Sequence, residues 1–246
     1  MTRKIQGILF DLGDTVLDFG KVDVLGKFEA GAHLAYKYLA DLGLSLPSFA
    51  TFHRRQLWAI RWNFFKSRFT RREFNTLDVL GQLCLKMGHR LSDPQMLELA
   101  WQFYQPLSLQ ETVEEGTRQL LEEFAGQGLR LGIVSNTFVP GKILDRHLAA
   151  VNLLDLLPMR VYSCDVVFRK PNPGIFRLAM ERTGLEAGQT LFVGDNLQAD
   201  IDGSNKIGMI SVLKDPLGRH ANSRIQPKHR IRALGELREI LRQYNG

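Results

Sequence analysis

The stretch 8–15, with the sequence ILFDLGDT, constrains the fold of this chain more than any other part of it. Its apolar start favours a buried strand of a parallel sheet. Asp11 follows the strand directly, and Gly13 lets the backbone come close to a ligand. In open α/β sheets, ligands bind beyond the carboxyl ends of the strands. The stretch is therefore a candidate binding site, and an Asp/Gly turn that only ends a strand is the alternative interpretation.

Length, charge and cysteine content narrow the class of protein. The 246 residues, of which 44% are hydrophobic, can build one large core or a core with a smaller second domain. The formal net charge of +6 suits an anionic small substrate, a nucleic acid or simply a basic surface. Cys84 and Cys164 lie far apart, so we expect no disulfide framework. The sequence shows no signal stretch or membrane span, so we expect a cytoplasmic chain without a membrane partner.

The hydrophobic periodicity changes twice along the chain. Residues from about 21 to 104 follow the spacing of four helices and contain no convincing strand. From Glu114 onward, strand patterns alternate with helix patterns, which predicts a parallel sheet with helices on both faces. We therefore predict an α/β protein with a Rossmann-like core, made of residues 1–17 and 110–246, and a small all-helical domain, made of residues 18–109.

Polar side chains follow three of the predicted strands, and a lysine lies on a loop near them. Asp11, Ser135 and Asp195 each end an apolar strand, and Lys170 lies in an RKPNP segment that its prolines hold extended. Carboxylates suit Mg²⁺, which prefers oxygen ligands. A metal, a lysine and a hydroxyl together can stabilise the charge on a transferring phosphoryl group. A carboxylate can also attack phosphorus and form an aspartyl-phosphate. The set therefore predicts phosphate chemistry.

The same residues, in the same order, resemble the motifs of the haloacid dehalogenase-like hydrolase superfamily over nearly the whole chain. DLGDT resembles the first motif, which implies that Asp11 is the nucleophile. IVSN resembles the second, which implies that the Ser135 hydroxyl and the amide of Asn136 bind phosphate. KPNP resembles the third, which implies that Lys170 is a catalytic residue that neutralises the nucleophile and the phosphate. One such motif is weakly specific, but four in order with the spacing of the family are specific.

The fourth motif concerns the metal. VGDNLQAD resembles it, which implies that Asp195 and Asp200 hold Mg²⁺ together with Asp11 and the backbone carbonyl of Gly13. The resemblance also implies that the helical insert, residues 18–109, is a cap over the active site. The implied reaction is hydrolysis of a small, anionic phosphomonoester through an aspartyl-phosphate on Asp11.

One position departs from the family pattern. Most phosphatases of the family carry a second Asp two positions after the nucleophile, where it protonates the leaving oxygen and later activates water, but here that position is Gly13. Loss of such a group costs on the order of 10²–10⁴ in rate. Three alternatives follow: Asp14 replaces the acid, water or the substrate supplies the proton, or the protein binds a ligand and turns over poorly.

Two sister reactions of the superfamily are further alternatives. Dehalogenases of the family usually lack the carboxylate that Asp195 provides, so the sequence favours phosphate over a C–halogen bond. Cleavage of a C–P bond would need a lysine of the cap near the nucleophile, and the lysines there are most simply explained as surface residues. A regulatory or ligand-binding protein with the same fold is the alternative from outside catalysis.

The second predicted helix combines aromatic and basic residues. Its aromatic stripe consists of Trp58, Trp62, Phe65 and Phe69, and no acidic residue interrupts the basic run around it until Glu73. The pattern favours a helix in the interior of the cap with a solvated basic edge. The alternatives are a cationic lid that attracts an anionic substrate and, as third and least favoured choice, a surface for nucleic acid, which basic and aromatic residues also suit. The sequence predicts no oligomeric state.

Overall fold

The protein, described by a computed structural model over residues 4–70, 72–221 and 223–246, alternates strands and helices along most of its length. In chain order the elements are β1 (Gly7–Phe10), β2 (Leu17–Asp18), α1 (Val24–Asp41), α2 (Phe49–Thr70), α3 (Thr76–Lys86), α4 (Asp93–Ser108), β3 (Thr112–Val113), α5 (Thr117–Gly126), β4 (Arg130–Ser135), α6 (Gly141–Ala150), β5 (Met159–Tyr162), α7 (Pro173–Thr183), β6 (Thr190–Gly194), α8 (Gly203–Asn205), β7 (Ile210–Lys214), β8 (His229–Ile231) and α9 (Leu237–Asn245). None of the helices in these ranges combines the length and the apolar character that crossing a membrane requires.

Six strands form one parallel sheet in the order β5-β4-β1-β6-β7-β8. β1 lies in the middle of this sheet and is buried on both faces, which explains its continuous apolar sequence. Phe10, its last residue, lies opposite Ile133 of β4 and Val193 of β6. This register brings the carboxyl ends of the three strands to the same edge. The predicted α/β fold with a Rossmann-like sheet is confirmed.

The helices α1 to α4, which we call the helical segment, lie between β2 and β3. Helix starts are set by local capping: the Asn75 side chain accepts a hydrogen bond from the Leu77 backbone at the start of α3. β2 and β3 pair in antiparallel fashion, with Leu17 opposite Val113, and so bring the two ends of the segment together. This two-stranded sheet was not predicted, because strands of two residues carry no readable periodicity.

The apolar core runs from the sheet into the helical segment without a break. Ile8 and Phe10 of β1 belong to the same buried cluster as Leu39 of α1 and Phe52 of α2. A smaller cluster around Phe192 fills the other face of the sheet, beneath α7. The helical segment is therefore anchored to the sheet edge by packing as well as by its two connections to the chain.

Two predicted helices differ from the sequence-based expectation. α4 was predicted to end near Tyr104 but continues through Pro106 to Ser108, because a proline near the end of a helix removes only one backbone hydrogen bond. The helix predicted from about Leu197 begins as a π-helical segment, Leu197–Asp202, before α8. π-helical turns frequently occur at functional sites.

Candidate active site

The carboxyl edge of the sheet collects the polar residues that follow β1, β4 and β6. Asp11 continues β1, and its backbone N–H donates to the carbonyl of Val193 at 2.8 Å. Ser135 is the buried last residue of β4, and Asp195 follows β6 directly. A single cavity of about 590 Å³ is lined by every residue that the sequence predicted for the site: Asp11, Gly13, Ser135, Asn136, Lys170, Asp195 and Asp200.

Three carboxylates converge in this cavity. One oxygen from each of Asp11, Asp195 and Asp200 lies within 4.8 Å of the other two. Asp200 is fully buried and accepts a hydrogen bond from the Asn196 backbone at 2.9 Å. Its side chain folds back over the end of β6, where a Cβ on residue 194 would lie 2.4 Å from the Asp200 carboxyl carbon. Gly194 is therefore required for the carboxylate to occupy this position.

Lys170 lies among the carboxylates. Its Nζ is 2.6 Å from Asp11 Oδ1 and 2.7 Å from Asp200 Oδ1, and the residue is only 2% exposed. Burial by itself lowers the pKa of this lysine, but the charges of Asp11 and Asp200 outweigh burial and hold the pKa above its usual value. The side chain therefore remains cationic and neutralises part of the acidic cluster.

Asn136 positions the lysine through its side chain. Its Nδ2 donates to the Lys170 carbonyl at 2.8 Å, and its Oδ1 accepts from the Lys170 N–H at 2.7 Å. This pair of bonds ties the loop after β4 to the KPNP segment. The sequence assigned phosphate binding to the amide of Asn136, and the structure adds this second contact of the side chain, which the motif alone did not indicate.

The cluster carries more negative than positive charge. Burial, together with the neighbouring charges of Asp11, Asp200 and Asp14, raises the pKa of Asp195 to about 7. Buried carboxylates that repel one another in this way are stabilised by a bound cation. The donor set consists of oxygens within a short reach, which fits Mg²⁺. Asp11, Asp195 and Asp200 are the residues that could hold it.

Gly13 and Asp14 form the turn beside Asp11. Asp14 has a φ of 55°, and its Oδ1 accepts a hydrogen bond from the Phe19 N–H at 3.2 Å. Its carboxylate is therefore used in the turn. At residue 13, an added Cβ would meet only the Phe19 ring, at 3.7 and 3.9 Å, which is ordinary contact. Steric crowding at the Cβ therefore does not explain why residue 13 lacks the acid that the family usually carries.

Other residues line the cavity that sequence reasoning did not select. Arg169 precedes Lys170, and its guanidinium lies 3.6 Å from Glu73 and 3.1 Å from Ser67 Oγ of the helical segment. Tyr104 of α4 also lines the cavity. The sequence offered one signal for these residues, which was the position of Arg169 directly before Lys170.

The aromatic stripe of α2 lies on the surface. Trp58 is 67% and Phe69 73% exposed, and neighbouring rings stack along the helix, with Trp58 and Trp62 5.8 Å apart. The helix does pack into the interior of the helical segment, but through Phe52 and Ile60. The prediction that α2 packs into the interior was therefore correct for the helix as a whole. It was wrong for the aromatic stripe, which lies on the surface, because helical spacing identifies a face without showing what covers it.

Fold and site together define a Rossmann-like α/β hydrolase with a helical insert after its first strand. A family model described as "haloacid dehalogenase-like hydrolase" matches residues 5–208, and the chain belongs to this family. The resemblance seen in the motifs is thus confirmed.

Two proteins named as phosphatases are similar to this chain. The chain is 31% identical over 133 residues to a ribulose-1,5-bisphosphate 5-phosphatase of Halopiger xanaduensis, a match that covers 50% of this chain and 54% of that protein. The chain thus spans about half the length of the curated relatives that it matches. A HAD phosphatase from Thermococcus onnurineus superposes with a TM-score of 0.61 at 25% identity, covering 96% of this chain and 98% of the other. A 2-haloacid dehalogenase of Pseudomonas syringae, at 19% identity and TM-score 0.67 over 98% of this chain and 99% of the other, shows the fold alone.

Proposed function

We propose that this protein is a Mg²⁺-dependent phosphatase that hydrolyses a small phosphomonoester through an aspartyl-phosphate on Asp11. The observation that carries the proposal is the buried Lys170, whose ammonium group joins Asp11 to Asp200 at the carboxyl edge of the sheet. A turn that only ends a strand has no need of a buried cation between two carboxylates, since burying charges costs free energy. The similarity to a named phosphatase supports the same conclusion.

Asp11, Asp195 and Asp200 would hold the metal, together with the backbone carbonyl of Gly13. When bound, Mg²⁺ neutralises charge on the phosphoryl oxygens and so reduces their repulsion of an attacking carboxylate. The acidic cluster also favours phosphate over a C–halogen bond, because its excess negative charge calls for a cation that dehalogenation does not use. The substrate class that follows is a small anionic phosphate ester.

In the first step, an oxygen of Asp11 attacks phosphorus, and the bond between phosphorus and the leaving oxygen breaks. The electron pair goes to the leaving oxygen, which departs as an anion because residue 13 carries no acid, and water protonates it afterwards. Lys170 and the Ser135 hydroxyl donate hydrogen bonds to the phosphoryl oxygens as charge builds on them. In the second step, water attacks phosphorus, the bond to Asp11 breaks, and phosphate and the free carboxylate are released.

The helical segment would act as the cap, with residues 18–109 as its extent. Tyr104 and Leu107 of α4 line the site cavity from this segment. The ion pair between Arg169 and Glu73 connects it to the loop that carries Lys170. A cover of this kind limits the access of bulk water to the phosphoryl group and selects the leaving group.

The test is phosphate release from phenyl phosphate and acetyl phosphate, with Mg²⁺ or with a chelator. Asp11→Asn is expected to lower the rate by at least roughly 10⁴-fold, as removal of a nucleophile does. Its amide has the same size and still offers an oxygen to Lys170, so the fold should persist, as circular dichroism will show. Asp41→Asn is the matched control, because Asp41 is exposed and forms a surface ion pair with Lys37. Equal rates in the two variants, or full activity in chelator, would refute the proposal.

A second candidate is a ligand-binding or regulatory protein that turns over poorly. Gly13 favours it, because the acid is missing and Asp14 is held in the turn by Phe19. The two candidates differ in turnover and agree on the ligand site, so the rate of the unmodified protein on acetyl phosphate separates them.

A further inference from the structure

A second cavity, of about 320 Å³, adjoins the site between the helical segment and the sheet edge. We call it the apolar cavity. It shares part of its wall with the site cavity, since both are lined by Phe19, Tyr104, Leu107, Phe138 and Val139. Phe138 follows Ser135 by three residues on the same loop. A substrate whose phosphoryl group lies at Ser135 therefore has its remainder within reach of this second space.

The apolar cavity offers very little hydrogen bonding. The Tyr104 hydroxyl is already bonded to His147 Nδ1 at 2.9 Å, and the Thr76 hydroxyl donates to the Phe138 carbonyl at 2.7 Å. Among the described residues that line the cavity, Lys27 is the only charged one. A sugar or a nucleotide sugar placed here would leave hydroxyl groups without partners, and burial of unpaired polar groups is unfavourable.

The walls consist of aromatic rings that hold one another in place. Phe138 meets Phe64 of α2 edge to face, with ring centres 5.1 Å apart, and stacks on Phe74 at 5.3 Å. Phe28 of α1 stacks on Phe103 of α4 at 5.6 Å. Rings packed in this way form a preorganised apolar surface, and such a surface favours another flat apolar ring.

The chemistry at residue 13 selects among apolar leaving groups. Gly13 cannot donate a proton, so a good leaving group must depart as an anion. A phenolic oxygen has a pKa near 10 and departs in this way far more readily than the alkoxide of an alcohol. The shape of the apolar cavity and the missing acid therefore favour the same leaving group, a flat apolar ring that carries a phenolic oxygen.

We propose that the apolar cavity binds the aryl portion of an aryl phosphate monoester, with its phosphoryl group held at Asp11, Ser135 and Lys170. Since a small molecule needs roughly 30 Å³ per heavy atom, as water does in its liquid, the cavity accepts on the order of ten non-hydrogen atoms. That is about the size of a naphthyl ring system. This assignment rests on the proposed function, because it names the leaving group of the same reaction.

The first test compares kcat/KM for 1-naphthyl phosphate, phenyl phosphate, glucose 6-phosphate and acetyl phosphate. The two aryl esters have leaving groups of similar acidity, so their ratio reports binding of the additional carbons. Because each buried methylene equivalent is worth about fourfold, naphthyl phosphate should exceed phenyl phosphate by at least roughly tenfold. Glucose 6-phosphate should be the poorest substrate.

Two adjacent residues of α2 give a matched pair of variants. Phe64 lines the apolar cavity and is 38% exposed, whereas Phe65, which is 52% exposed, belongs to the outer aromatic stripe and does not line the cavity. Phe64→Glu should lower kcat/KM for naphthyl phosphate on the order of tenfold, since an apolar contact is replaced by a charge, and leave acetyl phosphate unchanged. Phe65→Glu, the same substitution one residue further on, should leave both unchanged.

Binding to the Asp11→Asn variant separates this inference from the proposed function. Calorimetry with this variant should show 1-naphthyl phosphate binding at least roughly tenfold tighter than inorganic phosphate, with the difference removed by adding Phe64→Glu. If that preference is found but no ester is hydrolysed by the unmodified protein, the proposed function fails and the cavity assignment stands. Equal binding of the two ligands, or equal effects of Phe64→Glu and Phe65→Glu, would overturn the assignment, even if acetyl phosphate is hydrolysed.

Discussion

The two adjoining cavities of this molecule are lined by different parts of the fold, and they differ in chemistry as well. The site cavity is built from residues that directly follow strands, with Asp11, Ser135 and Asp195 at one edge of the sheet. The apolar cavity is lined mainly by side chains of the helical segment, among them Phe28, Phe64 and Phe103, together with Phe19 before the segment and Phe138 on the loop after β4. In the proposed reaction, the residues at the sheet edge carry the chemistry, and the side chains around the apolar cavity select the leaving group.

Substitution of Lys170 should give the largest effect on kcat/KM among the variants that distinguish the roles of the two cavities. Lys170→Met removes the cation between Asp11 and Asp200, and we expect kcat/KM to fall on the order of 10²–10³ for every substrate alike. Because two buried carboxylates lose their partner, the free energy of unfolding should also fall, by about 3–5 kcal/mol. Urea unfolding and phosphate release measure the two effects.

Lys206→Met is the control for that variant, because Lys206 pairs with Asp202 on the surface. An exposed pair of this kind contributes at most about 1 kcal/mol. If Lys170→Met lowered the free energy of unfolding and kcat/KM no more than this control does, the role that we assign to the buried lysine would be wrong.

Gly13→Asp should give the next largest effect on rate, because it adds an acid that can protonate the leaving group. The structure has room for the side chain beside the Phe19 ring, so the variant should fold normally. We expect the rate on an alkyl phosphate to rise on the order of 10²-fold, and the rate on an aryl phosphate to change little, because only the alkoxide needs a proton. Steady-state kinetics on butyl phosphate and phenyl phosphate measure this. An equal gain on both esters would show that leaving-group protonation is not what residue 13 limits.

The exposed aromatic stripe should give the smallest effect. Trp58→Ser combined with Phe69→Ser removes two large rings from the outside of α2, where both are mostly exposed. We expect the free energy of unfolding to change within about 0.5 kcal/mol for each substitution, with kcat/KM for naphthyl phosphate unchanged. A loss of aryl specificity in this variant would mean that the outer face, and not the apolar cavity, contacts the substrate.

The polar half of the site was predictable because it depends on sequence-local features. A short apolar run ending in Asp11 indicates a strand end, and the parallel register then brings Ser135 and Asp195 beside it without further information. Lys170 was selected because the two prolines after it hold its segment extended and so place the lysine on a loop. The double hydrogen bond from Asn136 to Lys170 could not be predicted, because it depends on how two loops approach each other.

The apolar half was not predictable for a physical reason. Helical spacing places Phe64 and Phe65 on different faces of α2, but it does not say which face meets a neighbour. Both are phenylalanines, and only tertiary packing brings the Phe64 ring within 5.1 Å of the Phe138 ring, centre to centre, while Phe65 stays on the exposed stripe. The same ambiguity led the sequence analysis to favour an interior helix without identifying its buried face.

The most direct test of phosphoryl transfer to Asp11 is mass spectrometry of the protein, quenched in acid soon after mixing with 1-naphthyl phosphate and Mg²⁺. The acid missing at residue 13 would also have activated water for the second step, so the aspartyl-phosphate should accumulate. We expect a phosphoryl group on the peptide that contains Asp11, absent from Asp11→Asn and shorter-lived in Gly13→Asp. Release of phosphate with no adduct at any time, or with an adduct on another residue, would contradict it.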